Sequence, residues 1–496
     1  MSTMMQHDYR GVYHFSPREK WMNDPNGMVY FRGEYHLFYQ HHPSGMKWGP
    51  MHWGHAVSKD LITWEELPIA LAPDELGMIF SGSAVVDGQN TTGFFDEEPG
   101  LVAIFTHHLE REGQAALQTQ SLAYSKDAGR TWTKYAGNPV LTHASFVDFR
   151  DPKVFWHAEK GRWVMIVACG QSVCLYHSPD LKSWTLASEF GEGIGFHGGV
   201  WECPDLFPLP VDGDDSRRKW VMLVSIGDSP DYPEGSRTQY FTGDFDGETF
   251  VPDPHSQTAR WLDYGRDNYA GVSWSDVPAE DGRRLFIGWM SNWKYANLTP
   301  TEGFRGAMTV ARELSLRTLA DGSAALAQQP VRELAAARVP LVALQDATLA
   351  QAQAALVGLR LDSYELRAEA AQGSSFAFQV RAGGGEETVV GVDASLGEVY
   401  VDRSNSGLSG FHEQFGGRHA AKLTAGRAAG VSHDLTILVD RSSVEAFANG
   451  GQAVLTDLIY PNAAAAGLSV TGDDGLIFAS LSVYALKPPT GGSAGA

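Results

Sequence analysis

Apolar residues across positions 1–325 fall in short runs broken by Gly, Asp, Asn and Pro, and no long stretch carries a helical period. The pattern predicts β-structure almost throughout. Several runs pair as hairpins. GMVYF and YHLFYQ flank Arg32-Gly33-Glu34, VFW and WVMIVACG flank a polar HAEKGR, and LFPL precedes KWVMLVSI. A second signal repeats: Ser58-Lys59-Asp60 with Trp64, Ser125-Lys126-Asp127 with Trp132, and Ser178-Pro179-Asp180 with Trp184. Such a long period, with several strands per unit, predicts propeller blades. Each S-x-D is expected to cap a third strand and each Trp to pack between blades. Five blades are predicted, starting near Asp24, Phe80–Ser83, Asp151, Glu202 and the NYAGVSWSD–RRLFIGWMSNW stretch.

The first domain is placed at 1–327. Gln328–Arg338 is Ala-rich and reads as a helical linker, drawn over 328–344. Alternating strands then predict an antiparallel β-sandwich over 345–487, accessory in role, with a low-complexity, disordered tail at 488–496. The fold class is therefore all-β.

Composition narrows the function. The chain has 496 residues and a formal net charge of −21, which excludes nucleic acid and anionic membrane surfaces as partners. There is no apolar run of about 18 residues to span a membrane. MSTMMQHDYRGVYHF lacks a basic-then-apolar leader, so the chain reads as cytoplasmic as written, with secretion after loss of a signal as the alternative. Three cysteines, Cys169, Cys174 and Cys203, suggest neither a disulfide framework nor a zinc pattern. The histidines at 41–42, 52, 55 and 107–108 lack zinc-motif spacing, and no phosphate loop or dinucleotide fingerprint is present. No metal and no cofactor are expected.

Three acidic residues recur just before a proline: Asp24-Pro25, Asp151-Pro152 and Glu202-Cys203-Pro204. Each opens an apolar hairpin. Pro25 and Gly27 suggest that Asp24 sits in a strand-entry turn that aims its carboxylate. If the hairpins repeat around one axis, the three acids converge at one end of it. Clustered carboxylates raise one another's pKa, so one should hold a proton near neutral pH. Glycoside hydrolysis needs that combination, one ionised carboxylate and one protonated carboxyl.

HFSPREKWMNDPNG, FSGS, RDP, WECPDLFPL and GWMSNW, in this order, resemble glycoside hydrolase family 32. These are the β-fructofuranosidases: invertases, exo-inulinases, levanases and related transfructosylases. VDRSSVEAFANGG looks like the family's C-terminal motif, so the resemblance covers nearly the whole chain. It implies Asp24 as nucleophile, Glu202 as acid/base and Asp151 as transition-state stabiliser. The stereochemistry would be retaining, with the Asp24 and Glu202 carboxyls about 5–5.5 Å apart. It also implies a fructose-binding ring of Asn23, Gln40, Trp48, Ser81, Arg150, Cys203, Trp289 and Trp293. Cys203 reads as pocket wall rather than nucleophile, having no His neighbour in sequence. Trp289 and Trp293 are expected on one face of a strand, with the one that reaches the sugar left open. The implied partners are fructans of levan or inulin type and sucrose. DYGRDNYAGVSWSD favours exo-acting enzymes of polymers over invertases. A transfructosylase, a non-catalytic fructan-binding protein and a related enzyme of arabinose or xylose polymers are the alternatives. Oligomeric state is not indicated.

Overall fold

The computed structural model describes residues 9–423 and 432–487, and the predicted tail at 488–496 lies outside them. The chain forms a β-propeller followed by a β-sandwich. Five strands begin the successive meanders of the propeller: β1 (Lys20–Phe31), β2 (Met78–Val86), β3 (Phe149–His157), β4 (Trp201–Val211) and β5 (Tyr269–Ser273). Each pairs antiparallel with the strand that follows it. The meanders of β4 and β5 merge into one nine-stranded sheet through a single parallel pair, Val211 with Leu316. Phe304–Arg305 returns to lie parallel to the start of β1, which ties the last meander to the first.

All five of these strands carry a bulge at the same level. Met22 to Pro25 faces His41 to Tyr39, and Ile79 to Gly82 faces His107 to Phe105. Arg150 to Lys153 faces Ala168 to Ile166, and Glu202 to Asp205 faces Ser225 to Leu223. Tyr269 to Val272 faces Trp289 to Ile287. Each bulge inserts one extra residue, which turns side chains that would alternate across the sheet towards one end. Left-handed backbone at Asp151 (φ +66°), Cys203 (φ +46°) and Ala270 (φ +54°) marks the kinks. WMNDPNG is therefore a bulged part of β1 and not a turn before it. Proline is tolerated there because the ladder is already interrupted.

The S-x-D repeats do end third strands. Ser58 Oγ accepts the Leu61 N–H at 2.8 Å, and Ser178 Oγ accepts the Asp180 N–H at 3.1 Å. Trp132 meets Phe38 edge-on at 5.6 Å, and Trp64 stacks on Trp274 at 6.3 Å, each across a seam between meanders.

Two expectations are corrected. The predicted helical linker at 328–344 is mostly strand. Ala324–Pro330 closes the propeller, Arg332–Ala337 is a short 3-10 helix, and Arg338–Thr348 is already the first strand of the sandwich. That strand lies at a sheet edge, paired only with Ile477–Leu486. Its mostly solvent-facing residues carry no clear alternation, which hid it. Second, Cys169 and Cys174 form a disulfide, with Cα atoms 6.0 Å apart. They face each other across the tight turn at Gly170–Ser172, a local pairing that a count of three cysteines does not reveal. Cys203 is free and buried.

The sandwich packs a six-stranded sheet on a five-stranded one around Leu366, Phe378, Val390, Ile437 and Val483. Its α-helix, Leu349–Leu356, starts with a reciprocal cap between Thr348 and Gln351.

Candidate active site

The bulges bring Asp24, Asp151 and Glu202 from β1, β3 and β4 to one end of the propeller. Asp24 Oδ1 accepts the Asn23 amide at 3.0 Å, and Oδ2 accepts Ser81 Oγ at 3.1 Å. The Cys203 thiol lies between two acids, 3.4 Å from Asp24 Oδ2 and 3.6 Å from Asp151 Oδ2. The Cys203 N–H donates to the same Asp151 oxygen at 3.0 Å. Glu202 is held at both oxygens. Arg150 Nη2 donates to Oε1 at 2.9 Å, and the Tyr269 hydroxyl donates to Oε2. Arg150 is itself fixed by Asp148 at 2.5 Å and Gln118 at 3.3 Å.

Burial, then the charge of Glu202, pushes Asp24 up to about 6 against the hydrogen bonds of Asn23, Cys203 and Ser81. Burial pushes Asp151 up to about 7, with Glu202 and Asp24 adding to it and Arg150 opposing. Clustering therefore raises two of the three acids, Asp24 and Asp151, above the ordinary carboxylate range. Burial and the neighbouring acids push the Cys203 thiol well up, so it stays a thiol and cannot act as a ready nucleophile. Tyr269 is pushed up likewise and keeps its proton to donate.

These groups border a pocket of about 450 Å³. Of the residues singled out from sequence, all except Cys203 and Trp289 line it. Cys203 lies beneath the acids. Trp289 ends the strand Arg284–Trp289 and is buried, whereas Trp293 lies beyond that strand, 4.8 Å from Trp289, and reaches the pocket. The two do not share a strand face. Trp48 forms the exposed rim at 39% exposure, its N–H bound to Asn297 Oδ1 at 3.0 Å. Gln40 Nε2 is buried without a protein partner, a donor free for a bound hydroxyl.

Sequence reading missed Phe80, His108, Gln118, Asp148 and Asn297 in the lining, and Tyr269 behind it. Phe80 adjoins the FSGS motif and stacks on His108 at 4.3 Å, so the motif and the histidine doublet together held that signal. Among the described residues no helix is long and apolar enough to cross a membrane.

Fold and site together define a glycosidase: acids at the mouth of a propeller pocket, with a sandwich attached. Residues 14–330 match the glycosyl hydrolases family 32 N-terminal domain, and residues 333–485 match the family's C-terminal domain. The chain is 51% identical to the levanase of Bacillus subtilis (strain 168) over 98% of its own length and 72% of that protein's. It is 40% identical to the extracellular exo-inulinase of Aspergillus awamori, over 94% of this chain and 92% of that one. The crystal structure of exo-inulinase from Aspergillus awamori superposes with a TM-score of 0.88 at 36% identity, covering 98% of this chain and 99% of that one. The chain belongs to glycosyl hydrolase family 32.

Proposed function

We propose that the protein is a retaining, exo-acting β-fructosidase. It removes terminal non-reducing β-D-fructofuranosyl residues from levan- and inulin-type fructans and also cleaves sucrose. The observation that carries this reading is the opposed pair in the pocket: Asp24 desolvated on one strand, Glu202 oriented by Arg150 and Tyr269 on another. Asp24 attacks the anomeric carbon as the bond to the leaving oxygen breaks, and Glu202 gives that oxygen a proton. Water then attacks the same carbon, Glu202 takes its proton, and Asp24 is released. Asp151 accepts hydrogen bonds from fructose hydroxyls as positive charge develops on the ring. Asn23, Gln40, Ser81 and Arg150 hold the sugar, and Trp48 and Trp293 pack on it. The name of the Aspergillus awamori exo-inulinase relative supports exo action.

The name of the Aspergillus awamori relative and the disulfide Cys169–Cys174 both support an oxidising, extracellular setting over the cytoplasm.

The test is sugar release from levan, inulin and sucrose by the unsubstituted chain and by Asp24→Asn. Fructose is expected from all three, falling by at least about 10³-fold in the variant. Undiminished release by Asp24→Asn rejects the nucleophile, and glucose from sucrose without matching fructose redirects the reading to transfer.

A further inference from the structure

The propeller carries a second cavity, at the end away from the acids. β3 begins its bulge at Arg150 and leaves through Phe155–His157; β4 begins its bulge at Glu202 and leaves through Leu206–Pro208. These exit residues line a cavity of about 620 Å³, larger than the pocket of about 450 Å³ at the acid end.

Six charged side chains line this larger cavity: Lys153, Glu159, Asp205, Arg218, Asp276 and Arg284. Asp205 is satisfied by the N–H groups of Leu206 at 2.8 Å and Ser273 at 2.7 Å, with Lys153 Nζ 3.8 Å away. Arg284 is not. Its Nη1 reaches only Ser273 Oγ at 3.5 Å and the Trp274 carbonyl at 3.4 Å, and its Nε is buried with no partner. The guanidinium lies 4.9 Å over the Phe207 ring. Ser275 Oγ, on a residue 8% exposed, is also buried with no partner. The Arg284 Nε–H and the Ser275 hydroxyl are thus donors at the cavity wall that no protein acceptor fills.

Lys153, Arg218 and Arg284 balance Glu159, Asp205 and Asp276, so the cavity does not select a net charge. Half-buried Trp156 and Trp220 form its walls. Aromatic walls around unfilled donors, without net charge, suit a neutral polyhydroxylated ligand with apolar faces. We infer that this cavity is a second saccharide site, which holds a fructan chain at a distance from the acids. That it binds fructan, rather than another neutral sugar, rests on the function proposed above. The site anchors polymer and takes no part in bond cleavage.

The test uses Asp24→Asn, which binds sugar without consuming it. Oxidative footprinting of Trp156 is run in this chain with and without inulin or levan. Protection of Trp156 by at least about two-fold is expected from contact with a stacked sugar, and equal oxidation with and without either polymer overturns the proposal. Trp156→Ala is then added and migration compared in native gels cast with each polymer. Retardation is expected to weaken about five-fold, while kcat and KM for sucrose, with Asp24 intact, stay unchanged. Equal retardation of both chains overturns the proposal. The two readings fail separately: sucrose cleavage without Trp156 protection removes only the second site, and no cleavage of sucrose, levan or inulin removes the fructosidase.

Discussion

Cys203 places one thiol against two carboxylates whose pKa burial and the charge of Glu202 raise. The raised value of Asp151, about 7 against an ordinary 3.8, is a statement about stability as well as chemistry. The folded chain keeps a proton that the unfolded chain releases. This contribution is complete below about 4 and is lost as pH rises through 7. Asp151→Asn removes the titration, so it should raise stability at pH 8 by roughly 2–4 kcal/mol relative to its effect at pH 4. Thermal melts at the two pH values check this, and an equal shift at both refutes it. The same substitution should lower fructose release, since an amide cannot take up the positive charge of the transition state as a carboxylate does. Asp24 sets the acid limb. As a nucleophile it must be ionised, and its raised value of about 6 predicts that kcat/KM falls about ten-fold per pH unit below 6. An activity plateau extending down to pH 4 would remove Asp24 from that role.

The bulge is the element that turns five ordinary strands into a site, and it depends on backbone that few residues accept. β1 has a second irregularity between Asn26 and Val29, where Gly27 has φ +59°. A Cβ there would come within 2.6 Å of Trp53 and 2.8 Å of Phe38, both buried. Gly27→Ala should therefore cost about 2–4 kcal/mol, from left-handed strain plus overpacking. Gly33→Ala, at φ +86° with open space around it, should cost only about 1 kcal/mol. Urea unfolding of the two variants separates the terms, and equal losses would show that packing around Gly27 contributes nothing. Bulges also decided what could be read from the chain. Asp24, Asp151 and Glu202 were legible because a proline follows each within two residues, and proline interrupts a ladder just where a bulge does. The bulge at Tyr269 has Ala270-Gly271 in that place, so the hydroxyl that grips Glu202 left no local sign. Gln118 and Asp148 act through Arg150, one from the third strand of its meander and one from the loop before β3, and only assembled sheets bring them there. The propeller and sandwich were legible from alternation and from the S-x-D…W repeat. The edge strand Arg338–Thr348 was not, because its buried face is short, Val342, Leu344 and Ala347, and its first residues are mostly exposed.

Across the whole molecule, the sandwich is fastened to the propeller by buried charge. His14, just before β1, binds Asp440 Oδ2 through Nδ1 at 2.8 Å and Glu445 Oε1 through Nε2 at 2.7 Å. Both acids belong to VDRSSVEAFANGG. Glu445 also accepts Arg312 Nη2 at 2.5 Å, and Arg312 pairs with Asp263 at 3.2 Å. A second buried pair, Arg403 with Asp267 at 2.6 Å, crosses the same boundary. Burial alone would lower His14, but its hydrogen bonds to the two carboxylates outweigh it and lift the value from 6.5 to about 9. A raised histidine stabilises the fold fully below pH 6.5, and its contribution is lost as pH rises through 9. Melting temperature should accordingly fall between pH 7 and pH 9.5, and His14→Gln should flatten that slope. Removing Glu445 has a different signature, because it takes one of two carboxylate partners from both Arg312 and His14 in a dry interface. Glu445→Ala should cost about 3–5 kcal/mol at pH 7. Calorimetry should still find propeller and sandwich unfolding in one transition in the unsubstituted chain, since neither can expose this network without leaving charges unpaired. Two separate transitions there, or a Glu445→Ala propeller that melts unchanged, would show instead that the sandwich is a passenger and that the buried charges do not couple it to the pocket.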